Sequence, residues 1–278
     1  MKLYSIETGF FKLDGGAMFG VVPKSIWNKI NPADENNMCT WAMRCLLIED
    51  GNRLILVDNG IGNKQDDKFF GHYYLHGDDS LEKSLARNGF HKNDITDVFL
   101  THLHFDHCGG SIERSGDKLI PAFKNANYWS NQKHWKWATE PNPREKASFL
   151  KENILPIQES GQLKFTDAQP EDFPSCIRVV EVNGHTEAMM LPQIIYKEKT
   201  ITFMADLLPS VGHIPVPYVM AYDVFPLTSI KEKTRVLEEA AAMEHILFFE
   251  HDAKIECCTV QLTEKGVRSK ETFRLEEL

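Results

Sequence analysis

The chain has 278 residues, 42% hydrophobic and 26% charged, which places it among ordinary globular proteins and excludes a disordered chain. A formal charge of −9 and a pI near 5.7, with no basic stripe, argue against a nucleic-acid partner, because phosphate binding needs a concentrated surplus of Lys and Arg. No stretch approaches the length of a membrane span and residues 1–9 lack the apolar core of a signal peptide, so a cytoplasmic protein with no membrane partner is expected.

Taken in order, residues 1–22 read as a first strand and a turn-rich loop: Gly15-Gly16 is a turn signal, and Ala17–Val22 is apolar without helical spacing. Residues 23–40 read as irregular, around Pro23, Pro32 and Asn36-Asn37. Met43–Ile48 and Arg53–Asp58 predict a hairpin, since Asp50-Gly51 between two apolar runs is a strong turn signal. A polar loop over 59–79 carries His72 and His76. Ser80–Asn88 predicts a short helix with Leu81 and Leu85 on one face and Gly89 as its stop. The strand Asp97–Leu100 follows. The middle, 126–155, holds a short aromatic strand and two helices, the first ended by Pro141.

The second half returns to strands at Ile177–Val182, Gln193–Tyr196 and Thr200–Ala205. A long helix is predicted over Ser229–Glu244, with Ser229 and Glu232 as a capping box and Ile230, Leu237 and Ala241 on one face. Strands at Ile246–Glu250, Glu256–Leu262 and Val267–Leu275 close the chain. Strands with interspersed helices in both halves predict one domain, residues 1–278, with two sheets between helical layers. The six cysteines show no CxxC spacing and are expected to be reduced.

The chemistry concentrates in Thr101-His102-Leu103-His104-Phe105-Asp106-His107-Cys108-Gly109-Gly110. His102 and His104, two apart on extended backbone, project to the same side and can reach one cation. Asp106 and His107 follow on a turn that Gly109-Gly110 permits and point to an adjacent position. Imidazole with carboxylate suits zinc, with iron or manganese as alternatives. Four donors are too few for two ions, and further ones stand at strand ends downstream: His185 in Gly184-His185-Thr186, then Asp206, then His251.

This pattern resembles the metallo-β-lactamase superfamily, whose His-x-His-x-Asp-His motif is here His102-Leu103-His104-Phe105-Asp106-His107, with Gly184-His185-Thr186, Asp206 and His251 matching its later motifs in the same order. The resemblance implies an α/β fold, the four-layer αββα sandwich. It implies two divalent metal ions, one held by His102, His104 and His185, the other by Asp106, His107 and His251, with Asp206 bridging. It makes Asp58 the carboxylate behind the ligand histidines, and hydrolysis by a metal-bridging hydroxide the expected reaction, with Asp106 able to pass a proton to the leaving group.

Within that superfamily, compact lactonases and organophosphate hydrolases are similar in length, and a small ester or lactone is the expected substrate. A phosphoesterase and a non-hydrolytic iron-dependent oxidoreductase are the alternatives, with a binding module built on a structural metal as a third. Only 27 residues follow His251, which argues against a thioesterase with a helical extension. An apolar cover is expected from Met18, Phe19, Val21, Val22, Trp27, Phe69 and Phe70 and from the loop after Asp206, with His213, Tyr218 and Tyr222. The lactonases' catalytic Tyr, three residues past the bridging Asp, is Pro209 here. His91, His134 and His245 read as peripheral, and the aromatic loop Phe69–Leu75 is the stretch a homodimer would bury.

Overall fold

The computed structural model describes residues 1–168 and 170–278. Backbone packing divides the chain into two compact units. The first comprises Met1–Gly9, Met43–His72 and Gly77–Ser175; the second comprises Phe10–Ala42, Tyr73–His76 and Cys176–Leu278. Two strands, β1 (Lys2–Asp14) and β2 (Met38–Asp50), contribute residues to both.

In the first unit the sheet continues through β3 (Arg53–Val57) and β4 (Asp97–Phe99). A separate hairpin, β5 (Ile112–Ser115) and β6 (Lys118–Pro121), intervenes before β7 (Asn127–Ser130) and β8 (Leu163–Phe165) complete the order β1-β2-β3-β4-β7-β8. The predicted β2–β3 hairpin forms, pairing Leu46 with Val57 and Asp50 with Arg53, and Gly51 takes the left-handed φ of +60° its turn requires. From β3 to β8 the strands run parallel, with Val57 opposite Phe99 and Phe99 opposite Trp129. Leu46, Ile55, Val57 and Phe99 are buried on one face of these strands and Leu47, Leu54, Leu56 and Val98 on the other. Burial of both faces explains why the strands read as continuous apolar runs rather than alternating ones.

The second unit's sheet is formed by β9 (Ile177–Val182), β10 (Met189–Tyr196), β11 (Lys199–Phe203), β12 (Ile246–Phe248), β13 (Cys257–Thr263) and β14 (Gly266–Phe273), in the order β14-β13-β12-β11-β10-β9. Strand β10 is antiparallel to both β9 and β11, and β11 is parallel to β12, so β9, β11 and β12 all run the same way. Their carboxyl ends therefore share one edge of the sheet.

The helices are α1 (Gly15–Phe19), α2 (Lys24–Trp27), α3 (Asp67–Gly71), α4 (Leu81–Arg87), α5 (Phe105–Cys108), α6 (Gln132–Thr139), α7 (Lys151–Glu159) and α8 (Pro226–Met243). Three of them correct the reading as loop. Asp14 accepts the Ala17 N–H and starts α1, where Gly15 lies so close to Trp27 that a Cβ would meet the ring at 2.4 Å. Helices α2 and α3 are single turns too short to show periodicity. The hairpin β5–β6 was not anticipated, because Ser115-Gly116-Asp117 lies between runs too polar to read as strands.

Helix α8 begins three residues before its expected start, at Pro226, whose missing N–H costs nothing at a first helical position. Ser229 is thus inside the helix, and Glu232 caps nothing: its carboxylate accepts the N–H groups of Asn183 and Gly184. The buried stripe runs through Ser229, Lys233, Val236, Leu237 and Ala240, a rotation from the Ile230–Ala241 face expected from sequence. Lys233 belongs to that stripe because its ammonium donates to three carbonyls, those of His213, Pro215 and Tyr218.

Candidate metal centre

In the first unit the parallel pairing of β3 and β4 puts their carboxyl ends side by side. Asp58, just past β3, adopts a φ of +55° and donates its N–H to Phe99. Its buried carboxylate accepts from the Thr101 N–H at 2.8 Å, the Thr101 hydroxyl at 2.6 Å and His107 Nδ1 at 3.1 Å. Since the Thr101 hydroxyl donates to Asp58, it accepts from His102 Nδ1, 3.0 Å away. The carboxylate thereby holds the hydrogen of both rings on Nδ1, so that each Nε2 carries the lone pair.

His104 is turned the other way. Its Nε2 lies 3.5 Å from Oε1 of the buried Glu145 carboxylate, whose other oxygen accepts from Trp137 Nε1 and Asn142 Nδ2. Its Nδ1 lies 3.1 Å from His102 Nε2. With the His102 hydrogen on Nδ1, His104 Nδ1–H can donate across that gap, and the separation is also close to the about 3.3 Å between two nitrogens on one tetrahedral zinc at Zn–N near 2.0–2.1 Å. Asp106 Oδ2, on α5, is 3.8 Å from His107 Nε2.

Gly109 and Gly110 do not supply a left-handed turn. They admit the neighbouring backbone: a Cβ at Gly109 would meet Ile61 O at 2.1 Å, and one at Gly110 would meet Asn59 O at 2.3 Å. Asn59 N–H donates to His107 O and Gly110 N–H to Gly60 O, so the segment after Asp58 is laced to the ligand turn.

In the second unit His185, Asp206 and His251 stand at the shared edge, after β9, β11 and β12 respectively. The Asp206 carboxylate lies between the two rings, Oδ2 being 3.1 Å from His185 Nε2 and Oδ1 3.1 Å from His251 Nε2. Both rings have their Nδ1 hydrogens committed elsewhere, His185 to Asp223 at 3.0 Å and His251 to the Ala42 carbonyl at 2.8 Å. The two Nε2 atoms and the two Asp206 oxygens thus converge as a buried set of nitrogen and oxygen donors of the kind that suits a divalent metal. For His185 burial works against protonation, but Asp206 and Asp223 outweigh it and push the imidazole up to about 10. Ala205, immediately before Asp206, sits at a φ of +42°, a strained conformation beside the functional group.

The expected cover residues divide by burial. Met18, Phe19 and Trp27 are buried in the second unit, with Phe19 stacked on Trp27 and His213 at centroid distances of 5.7 and 4.5 Å. His213 bonds Ser210 Oγ through Nδ1 and the Met18 carbonyl through Nε2, and burial pushes it down to about 3, so it is a neutral internal link. Tyr218 is half-buried, while Val21 and Tyr222 are exposed.

One peripheral assignment, that of His134, is overturned. His134 is buried and its Nε2 accepts the Leu103 N–H at 2.8 Å, fixing the backbone between His102 and His104. His245 is also buried. Asp223, Glu145, Thr101 and the Ala42 carbonyl, which contact these histidines, lie outside the expected site residues. Only Thr101, adjacent to the motif, carried a signal.

Among the described residues, no helix is long and apolar enough to cross a membrane. A family model described as the Metallo-beta-lactamase superfamily matches residues 44–245. An N-acyl homoserine lactonase of Bacillus cereus is 25% identical over 269 residues, covering 92% of this chain and 94% of its own. The structure of a probable metal-dependent hydrolase from Staphylococcus aureus matches with a TM-score of 0.87 at 28% identity, covering 98% of this chain and 96% of the other. A dizinc quorum-quenching lactonase, solved with its N-hexanoyl-L-homoserine product, shares the fold at a TM-score of 0.79 and 21% identity over 98% and 95% of the chains. With its two mixed α/β units, its His/Asp donors for divalent metal and these relatives, the chain belongs to the metallo-β-lactamase superfamily and is a metal-dependent hydrolase.

Proposed function

We propose that the two donor sets form one dinuclear centre, with the two units acting together as a single domain. His102, His104 and His185 hold one divalent cation, Asp106, His107 and His251 hold the other, and Asp206 bridges them; zinc is the first choice for this mixture of nitrogen and oxygen donors. The observation that carries the reading is the Asp206 carboxylate, whose two oxygens each face a different imidazole nitrogen at 3.1 Å. When bound, the two ions would supply a hydroxide near neutral pH and polarise the carbonyl oxygen of the substrate.

The chain's own residues do the rest. Asp58, Asp223 and the Ala42 carbonyl hold the rings of His107, His185 and His251 in the required tautomers, and Glu145 stands behind His104. Asp106 would take the proton of the attacking hydroxyl and pass it to the departing alkoxide. Tyr218 and Tyr222 offer hydroxyls to a bound substrate, in place of the tyrosine that Pro209 replaces. Val21 and Tyr222 present apolar surface to its non-reacting part, above the buried layer of Met18, Phe19, Trp27 and His213.

The substrate class is a small ester or lactone, as the coverage of the lactonase relatives supports. The test is hydrolysis of a panel of lactones, aryl esters, phosphoesters and thioesters, with metal content measured on the same sample. Turnover of lactones or aryl esters that is lost with the metal agrees with the proposal. Turnover of phosphoesters alone would replace the substrate class, and a metal-free active enzyme would overturn the mechanism.

A further inference from the structure

The backbone that carries His185 is anchored by contacts that involve no imidazole. Glu232, within α8, accepts the Asn183 N–H with both carboxylate oxygens, at 2.8 and 3.0 Å, and the Gly184 N–H at 2.9 Å. The Asn183 side-chain oxygen accepts the Ala188 N–H at 3.0 Å and closes the loop on itself. On the carbonyl side, Gly184 accepts from the Phe225 N–H at 2.9 Å and His185 from the Val224 N–H at 3.1 Å. Gly184 is packed so tightly on α8 that a Cβ would stand 2.3 Å from the Ser229 nitrogen.

The two amides before His185 and the carbonyls on either side of its nitrogen are thus committed to α8 and the segment leading into it. Of these partners Glu232 alone is a charged side chain, and hydrogen bonds to an ionised acceptor are about twice as strong as neutral ones. Without it, Gly184 is the residue freest to rotate. A metal–imidazole bond tolerates only about 0.2 Å of error, so a small rotation there removes a ligand.

We infer that Glu232 is a positioning residue for metal: it sets the His185 backbone while Asp223 sets its ring. The inference rests on the dinuclear reading above. Glu232 makes no contact with the ring itself, so its effect should be selective for the cation that His185 serves.

The experiment is zinc binding to the purified full-length chain, measured by competition with a chromophoric chelator, for the wild type, Glu232→Gln and Glu232→Ala. The expected wild-type result is two equivalents. In Glu232→Ala one equivalent weakens by about 10- to 100-fold while the other is retained. Glu232→Gln keeps one acceptor oxygen, should fold even if the alanine variant does not, and should fall between. Two equivalents bound as tightly in both variants as in the wild type would overturn the inference and leave the dinuclear reading standing. Equal weakening of both equivalents would also overturn it, because a general loosening of the fold does not choose between ions. A wild type that binds no zinc would overturn both readings.

Discussion

Replacing Asp58 with Asn tests how the structure controls the metal-facing nitrogens. Asn is well suited to the left-handed φ of +55° at this position, so the backbone is not disturbed. Its remaining oxygen can still accept the Thr101 N–H. Its amide, however, replaces an oxygen that accepts from both the Thr101 hydroxyl and His107 Nδ1, and it meets two donors with a third. Thr101 can rotate. His107 can answer only by moving its hydrogen to Nε2, the nitrogen that faces Asp106 and the proposed cation.

Losing one charge-assisted hydrogen bond and leaving the site with a mispaired donor costs about 3 kcal/mol, which is about 100-fold in affinity for the ion on His107. Chelator competition on Asp58→Asn and the wild type measures this directly, with metal content after dialysis as a second readout. Asp58→Ala should be worse still, since the left-handed conformation adds about 1 kcal/mol. An asparagine variant that keeps both equivalents within about threefold of the wild-type affinity would refute the reasoning.

Exhaustive dialysis against chelator should abolish hydrolysis and His104→Ala should leave the protein short of one equivalent; full activity after metal removal would be the contrary result. Gly109→Ala forces a methyl to 2.1 Å from Ile61 O and should cost at least about 1–3 kcal/mol in thermal melts. Gly51→Ala, with nothing within 4 Å of the new Cβ, should lose only the left-handed backbone term. His213 is held neutral to about pH 3, whereas an unfolded chain protonates it near 6.5. Acid therefore favours the unfolded state, and the His213 contribution to stability, constant above pH 6.5, should fall by up to about 1.4 kcal/mol per pH unit below it. Urea midpoints at pH 7 and 5.5 should show that loss for the wild type and a smaller one for His213→Gln; equal losses would assign the effect to other groups.

The candidate donors are visible in the sequence by themselves. Imidazoles and carboxylates crowded after an apolar strand, then repeated singly after three later strands, declare their chemistry because strands end where apolar runs end. The hairpin at Gly51, the helix capped by Ser80 and the strands of the second sheet were legible for the same local reason: turn and cap residues act within a few positions of themselves. What lay beyond the sequence was every choice made by a distant partner. Nothing about position 223 announces that it holds His185, 38 residues away, nor about 145 that it faces His104, nor about 134 that it accepts from Leu103. Glu232 looked like a cap for its own helix and instead fastens another loop, because α8 starts at Pro226 and carries it past the first turn. Residue types determine which atoms can bind a metal. The folded chain determines which nitrogen of each ring is left to do so, because the hydrogen on the other one goes to a neighbour that only tertiary structure supplies.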